Sequence, residues 1–242
     1  MMTFGIWLVL IAVSVVAGLL GSVAGFGSVL LLMPICSYAF GVEKTVPVLT
    51  VAALLGNLSR AAFTWRETDW TTLRLYLLGG VPGAVAGALL FFTADAGAIQ
   101  RMIGLLVLLS VPARRLLFRE TIRIPSGGFV ALGAVIGFLS GFAGAVGPLN
   151  VPFFLAHGLV KGAYIATDAL ASAAIHLTKS AVYGRFAVLD VQSVGIGSIL
   201  GLGLLAGAWI GRRVIDRLDT PAFVLIVEIL MVVSALTMIA GI

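Results

Sequence analysis

The chain has 242 residues, of which 61% are hydrophobic and only 10% are charged, and its formal net charge is +5. A soluble domain carries about 25% charged residues, so this composition predicts an integral membrane protein. Long apolar runs, in place of alternating ten-residue strands, exclude an outer-membrane barrel and predict an all-α polytopic fold. The basic residues lie between the apolar runs, where membrane topology explains them without a nucleic-acid partner.

Residue types that build cofactor sites are scarce. Cys36 is the single cysteine, which leaves no intrachain disulfide and no cysteine metal cluster. We therefore expect no cofactor and no metal. The amino terminus lacks a basic stretch, so the first apolar segment is predicted to be a retained helix and not a cleaved signal. No polar stretch is long enough for a soluble domain.

Apolar segments follow one another along the whole chain, and most have the roughly 20 residues that a spanning helix needs. They cover residues 4–24, 27–41, 46–65, 73–93, 98–118, 127–143, 145–159, 163–183, 190–211 and 221–242. The segments 27–41 and 145–159 are short, and we expect half-helices or tilted elements there.

Two apolar runs are broken by closely spaced glycines and resume with a proline a few residues later. The first break is GLLGSVAGFGSVLLLMP at 18–34, and the second is GFLSGFAGAVGPLNVP at 137–152. Glycine and proline weaken a helix, and in lipid a broken backbone is tolerated only where protein or a water-filled cavity satisfies it. Such breaks at corresponding positions in two halves point to a transport site.

The two halves of the chain repeat at a constant separation. Residues of the first half and their counterparts are Gly18 and Gly137, Gly25 and Gly144, Asn57 and His176, Arg60 and Lys179, and Arg66 and Arg185. The polar matches are the most informative, because polar residues are rare here. We predict a first transmembrane repeat at 1–118, a basic cytoplasmic linker at 119–126 and a second transmembrane repeat at 127–242.

Five crossings per half would invert the second repeat, with the broken helices at the repeat interface. If every segment crosses, one side of the membrane receives most of the basic residues, namely Arg66, Arg74, Arg114, Arg115, Arg119, Arg123, Lys161, Arg212, Arg213 and Arg217. The other side receives Lys44, Arg101 and Arg185. This bias places the first side in the cytoplasm and both termini outside. A re-entrant hairpin in each half is the competing arrangement, and it would spoil the charge bias.

Two segments are predicted to carry a polar stripe with one cation each. Segment 163–183 has on one face Asp168, Ser172, His176, Lys179 and Tyr183. Segment 46–65 has a similar stripe of Thr50, Asn57, Arg60 and Thr64. Polar groups inside a membrane are costly, so each stripe is expected to face something other than lipid.

Structural interpretations of these residues stay open beside the functional one. Arg60 and Lys179 could snorkel to an interface. His176 could be a hydrogen-bonding core residue as readily as a ligand or proton carrier. Asp168 could be a counter-ion of Lys179 or a helix-end residue. The functional interpretation is favoured because each cation has an equivalent in the other repeat.

The groups around the two breaks suit an oxyanion. A half-helix that starts at a break points unpaired N–H groups and its positive dipole end into the protein. The candidate substrate-binding residues are Gly25, Gly27, Ser28, Asn57, Arg60, Ser140, Gly144, Gly147, Asn150, His176 and Lys179. Asp168 and His176 are the candidates for proton coupling.

Glycines outside the breaks are predicted to allow close helix packing. They include Gly79, Gly83, Gly87, Gly197, Gly201, Gly203 and Gly207. Such small-residue faces serve either internal packing or dimerisation, so a homodimer is left open.

The two breaks, each followed by a polar helix, make the chain resemble the sulfite exporter TauE/SafE family of bacterial and archaeal membrane proteins. The resemblance rests on GSVAGFGSVLLLMP and GFLSGFAGAVGPLNVP and covers nearly the whole chain. The family often has a fuller glycine triplet, which is reduced here to Gly27-Ser28 and Gly147-Pro148. The resemblance implies a prokaryotic cell (inner) membrane protein that exports, or in some members takes up, sulfite, sulfonates or other sulfur-containing anions, commonly with proton coupling.

The predicted function is secondary transport of a small anion by alternating access, with one repeat-derived bundle rocking against the other. The expected partners are the anion, protons and the lipid bilayer. An anion channel is the alternative, and an intramembrane enzyme is less favoured. The sequence has no H-E-x-x-H motif, and Phe138 stands where a serine protease motif needs glycine.

Overall fold

The computed structural model describes residues 4–24, 28–117, 125–144, 147–159 and 161–214, together with isolated positions between 229 and 240. The α-helices in this part of the chain are α1 Phe4–Ala24, α2 Ser28–Phe40, α3 Val42–Thr64, α4 Trp70–Phe91, α5 Ala96–Leu117, α6 Gly128–Ala143, α7 Gly147–Ala156, α8 Lys161–Arg185 and α9 Val191–Val214. A 3-10 turn, Trp65–Glu67, follows α3. The described residues contain no strand, which confirms the all-helical prediction for them.

The helices follow the predicted apolar segments, except that segment 221–242 lies almost wholly outside the described residues. Three described helices are long and apolar enough to cross a membrane, with spans Val42–Ala62, Trp70–Phe91 and Val191–Gly211. Among the described residues, apolar stretches of 10–17 residues lie at Gly5–Gly21, Leu31–Phe40, Ala96–Leu106 and Gly128–Ala143. The described parts of α2 and α7 have 13 and 10 residues.

The closest packing joins α4 and α6. A Cβ added at Gly79, Gly83 or Gly87 of α4 would collide with backbone carbonyls of α6. The glycines of α6 meet the backbone of α4 in the same way, at Gly133, Gly137 and Gly141. These contacts advance in the same direction along both helices, so α4 and α6 run parallel. The close packing predicted for the α4 glycines is confirmed.

Helix α9 packs in parallel on both α1 and α3. A Cβ at Gly203 would collide with the side chain of Ser14. One at Gly207 would collide with the carbonyl of Val15 and the backbone nitrogen of Leu19, so the contacts advance in the same direction along α9 and α1. On its other side, α9 places Gly197 and Gly201 against the middle of α3, at Val48 and Leu55. The predicted packing role of these α9 glycines is confirmed.

Helices α3 and α8 run antiparallel, since the end of α3 and its 3-10 turn lie beside the start of α8. The Glu67 carboxylate packs against Gly162, and Asp69 N–H donates to Thr167 Oγ1 at 3.0 Å. This arrangement brings the polar stripe of one helix against that of the other.

Aspartates cap two further helices at their first turn. Asp69 accepts from the backbone N–H groups of Thr71 and Thr72, each at 3.0 Å, and begins α4. Asp190 accepts from Ser193 N–H at 2.6 Å and begins α9. The hydroxyl and backbone N–H of Ser193 hold the pKa of the Asp190 carboxyl below its ordinary value, with a smaller contribution from the charge of Lys44.

Candidate functional site

The polar stripe of α8 is buried. Asp168 is 3% exposed, and Lys179 and Tyr183 are fully buried. Thr50 and Asn57 on the stripe of α3 are buried as well. The prediction that these side chains face protein and not lipid is confirmed.

Arg60 of α3 pairs with Asp168 of α8 where the two helices cross. The distance from Arg60 Nη2 to Asp168 Oδ2 is 3.5 Å, and the same guanidinium donates to Asn57 Oδ1. Asp168 Oδ1 accepts from Asn150 Nδ2 at 3.2 Å, and Asn150 Oδ1 accepts from the Tyr76 hydroxyl at 3.1 Å. A continuous series of polar contacts therefore joins α3, α8, α7 and α4.

Lys179 lies with its ammonium group at the carboxyl end of α6. Its Nζ donates to the carbonyl of Ser140 at 3.1 Å, to the hydroxyl of Ser140 at 3.3 Å and to the carbonyl of Gly144 at 3.1 Å. One turn further along α8, the Tyr183 hydroxyl donates to the carbonyl of Gly141 at 2.6 Å. The last carbonyls of a helix lack intrahelical partners and carry its negative dipole end, so α8 supplies both donors and a positive charge there.

These contacts decide two alternatives that the sequence left open. Lys179 is fully buried, so the snorkelling interpretation is wrong for it. Asp168 is the counter-ion of Arg60, so the interpretation that paired it with Lys179 is also wrong. The reason is that antiparallel packing of α3 and α8 brings Arg60 to Asp168, whereas Lys179 faces α6. The Arg60 side chain remains 22% exposed.

The second glycine break is visible in the backbone. Helix α6 ends at Ala143, and Gly144 follows with φ at +87°, a conformation that favours glycine. Gly144 N–H donates to the carbonyl of Ser140 at 2.9 Å, and α7 begins at Gly147. Residues 25–27 of the first break lie outside the described residues.

A small cavity of about 30 Å³ lies beside the first break, between α1, α2, α3 and α9. Asn57 and Arg60 provide its polar side chains, and Gly18, Gly56 and Leu204 contribute to the remaining wall. A water molecule needs about 10–15 Å³ of such space, so the cavity has room for roughly two waters or one small ion. Its wall offers a positive charge, an amide and closely accessible glycine backbone.

Residues 10–238 match the family model described as Sulfite exporter TauE/SafE. The chain belongs to the sulfite exporter TauE/SafE family. Comparison with curated proteins and with solved structures gives no match. Membership of the TauE/SafE family confirms the resemblance in the sequence, and together with the apolar helices it identifies a membrane transport protein.

In this TauE/SafE protein the predicted site residues fall into two groups. Asn57 and Arg60 line the cavity at the first break. Ser140, Gly144 and Lys179 meet one another at the second break. The two groups are on separate sets of helices.

The other predicted residues have different positions. Asn150 is buried between Asp168 and Tyr76 and so connects α7 to the ion pair. His176 is buried on the α8 stripe, and its Nδ1 has no hydrogen-bond partner among the described residues. Ser28 is the first described residue of α2, and Gly147 is the first described residue of α7. Gly25 and Gly27 lie outside the described residues.

Tyr183, Tyr76 and Leu204 are among the residues of these groups that were not predicted as site residues. Tyr183 stands four positions after Lys179 on the same stripe, and this helical spacing indicates that the two side chains share one face. Tyr76 and Leu204 lie in strongly apolar helices that carry no local sign of their role. Only the packing of α4 and α9 on their neighbours brings them to these positions.

Proposed function

We propose that this TauE/SafE protein is a secondary transporter that moves a small anion by alternating access. The proposed substrate is sulfite, an organosulfonate or a related sulfur oxyanion. The observation that carries the proposal is the cavity beside the first break, whose wall includes the guanidinium of Arg60 and the amide of Asn57. A guanidinium presents planar paired donors that match an oxyanion, and its charge persists at all physiological pH values.

Competition for Arg60 is the proposed basis of proton coupling. The Arg60–Asp168 distance of 3.5 Å is longer than the 2.7–2.9 Å of a strong charge-assisted hydrogen bond, so the pair is loosely made. An anion in the cavity and the Asp168 carboxylate would compete for the same guanidinium. A proton that binds the carboxylate removes this competitor, so a proton and the anion would bind together. His176 is proposed as a second proton carrier on the same helix.

The remaining candidates are proposed to act at the two breaks. Gly25, Gly27 and Ser28 would present backbone N–H groups to the anion at the start of α2, and Gly147 would do so at the start of α7. Ser140, Gly144, Asn150, His176 and Lys179 are proposed to form the counterpart site at the second break. In this structure the donors of Lys179 are directed at the carbonyls of Ser140 and Gly144, so contact with an anion would require that ammonium group to move.

Two inverted repeats, 1–118 and 127–242 joined by the linker 119–126, are the proposed architecture. The repeat in the sequence relates α1 to α6, α3 to α8 and α4 to α9. The parallel, glycine-lined packing of α4 on α6 has its counterpart in that of α9 on α1. The equivalent helices α3 and α8 run antiparallel, as inversion requires. Both relations support the proposal.

The proposed location is the prokaryotic cell (inner) membrane, with the more basic loops in the cytoplasm and both termini outside. Accessibility of single cysteines to an impermeant thiol reagent tests this orientation. Arg74 and Arg185 are predicted on opposite sides of the membrane. Cysteines that replace them one at a time, in a Cys36→Ala background, should react with the reagent from opposite sides of the membrane.

Transport by purified protein in liposomes tests the function. Wild-type protein is expected to take up labelled sulfite with saturation, and Arg60→Gln should lower this flux about 10- to 100-fold, since a hydrogen bond to a charged group contributes about 1.5–3 kcal/mol. Arg66→Gln is the matched control, because Arg66 lies two turns later, exposed and against Trp65. Equal flux in Arg60→Gln and Arg66→Gln would refute the anion site, and non-saturating flux would indicate a channel.

A further inference from the structure

We infer that Leu204 and Gly56 set the largest anion that the cavity at the first break accepts. The inference rests on the proposed function of that cavity and adds which residues select the substrate by size. An oxyanion without a carbon chain is the class that fits.

Leu204 forms the apolar wall of the cavity opposite α3. It lies on α9 and is only 2% exposed. A Cβ placed at Gly56 would lie 3.5 Å from Leu204 Cδ1 and 3.7 Å from Leu204 Cβ. The gap between the leucine side chain and the backbone of α3 at Gly56 therefore holds about one methyl group. The leucine limits how far a bound molecule can extend.

The opposite wall is polar and comes from the same turn of α3 as Gly56. Asn57 and Arg60 follow Gly56 by one and four positions, and all three line the cavity. An anion held by these polar groups would point any substituent toward Leu204. An alkyl group that extends in this direction would contact the leucine side chain.

Close backbone packing places α9 against both α3 and α1. A Cβ at Gly197 would collide with the carbonyl of Val48 on α3. The carbonyl of Leu204 lies so close to Gly18 that a Cβ on that glycine would collide with it. Since the backbones of α1 and α9 are already in contact, the position of Leu204 is fixed by its helix and not by its side chain. The cavity of about 30 Å³ is therefore a defined space, large enough for roughly two waters.

The test compares sulfite, methanesulfonate and ethanesulfonate as ligands of the full-length, detergent-purified protein. Binding is measured from the ligand-concentration dependence of thermal stabilisation, because a ligand of the folded state raises apparent stability by mass action. Wild-type protein should bind sulfite more tightly than either sulfonate. Leu204→Ala should reduce this preference by about tenfold or more, the effect expected when a pocket gains the room of a methylene or two.

Leu200→Ala is the matched control for that variant. Leu200 is fully buried one turn earlier on α9 and is not part of the cavity wall in the described residues. Both substitutions remove the same buried leucine atoms, so both lower stability. The ratio of the sulfite affinity to the sulfonate affinities should change in Leu204→Ala and stay at the wild-type value in Leu200→Ala.

Gly56→Ala tests the opposite change, which is a smaller cavity. It also provides a test of the inference if Leu204→Ala does not fold. Its added methyl group would make only ordinary van der Waals contacts with Leu204, so the fold should tolerate it. It should weaken binding of all three anions at least several-fold and that of ethanesulfonate most. Gly195→Ala, where nothing lies within 4 Å of the added methyl group, is its control.

The outcomes separate this inference from the function beneath it. If wild-type protein binds none of the three anions, the proposed function fails and the inference fails with it. If wild-type protein binds sulfite and Arg60→Gln does not, the function stands. The inference alone is then overturned if the ratio is the same in Leu204→Ala and Leu200→Ala, or if Gly56→Ala binds like Gly195→Ala.

Discussion

Lys179 of α8 donates a hydrogen bond from its Nζ to the carbonyl oxygen of Gly144, 3.1 Å away, and thereby holds the polar helix against the break between α6 and α7. The same ammonium group also contacts the carbonyl and the hydroxyl of Ser140. A buried lysine is costly unless its donors are satisfied and its charge is compensated, and the carboxyl end of α6 does both. The cation thus stabilises a backbone that ends inside the protein.

Replacement of Lys179 by methionine should destabilise the fold strongly. The variant keeps an apolar side chain of similar length but leaves the carbonyls of Ser140 and Gly144 with fewer donors. Each buried group that loses its partner costs about 1–3 kcal/mol, so the expected loss is several kcal/mol. Thermal unfolding of the detergent-purified protein measures it.

Lys44→Met is the control for that variant. Lys44 lies near the start of α3 and donates to Gln192 at 2.7 Å in an exposed position. Exposed contacts of this kind contribute little, about 1 kcal/mol or less. Equal stability losses in the two variants would contradict the role assigned to Lys179.

Gly83→Ala should disrupt the contact between α4 and α6. Its methyl group would collide with the carbonyl of Ala134, which belongs to the backbone and cannot move aside cheaply. We expect a lower unfolding temperature in spite of the higher helix propensity of alanine. Gly184→Ala has open space around its methyl group and should be neutral or slightly stabilising. A stable Gly83→Ala protein would show that the two helices can separate.

Asp168→Asn should reduce the pH dependence of anion binding. In the wild-type protein a falling pH protonates the carboxylate that competes for Arg60, so anion binding should strengthen as the pH falls. The asparagine variant has no such competitor, so its sulfite affinity should vary less between pH 5 and pH 8 than that of the wild type, since the ionisation of sulfite itself affects both proteins equally. Titration of thermal stabilisation with sulfite at several pH values measures this.

Asp69→Asn is the control for the pH experiment. Asp69 caps α4 through the N–H groups of Thr71 and Thr72, and asparagine caps a helix equally well. Its sulfite affinity should keep the wild-type pH dependence. If Asp168→Asn also keeps it, the proposed coupling through Asp168 is wrong.

The ionised form of Asp190 should stabilise the start of α9. Its pKa in the folded protein is lowered by the hydroxyl and N–H of Ser193, so the contribution is present above the unfolded-state pKa and is lost as the pH falls through the folded-state pKa. Asp190→Asn keeps the capping oxygen without the charge. Unfolding temperatures of the two proteins should differ at neutral pH and converge in acid, and curves that stay parallel would contradict this.

Much of the site was predictable because it depends on local patterns. The steps of three and four residues from Asp168 to Tyr183 predict a single helix face, and that face is buried. The spacing of Gly137, Gly141 and Gly144 before a proline predicts a helix end, and α6 ends there. The correspondence of Arg60 with Lys179 indicates that both cations have inward positions, without indicating what each one contacts.

The sequence by itself determined that this is an all-helical membrane protein, since composition and apolar segment length are properties of neighbouring residues, and its match over residues 10–238 shows the TauE/SafE family. The tertiary structure decided which groups meet. Asp168 pairs with Arg60, 108 positions away, and Lys179 reaches α6, because the neighbours of α8 are set by helix packing and not by spacing along the chain. Leu204 closes the cavity for the same physical reason, since a leucine in an apolar helix acquires a role only from the backbone against which that helix packs.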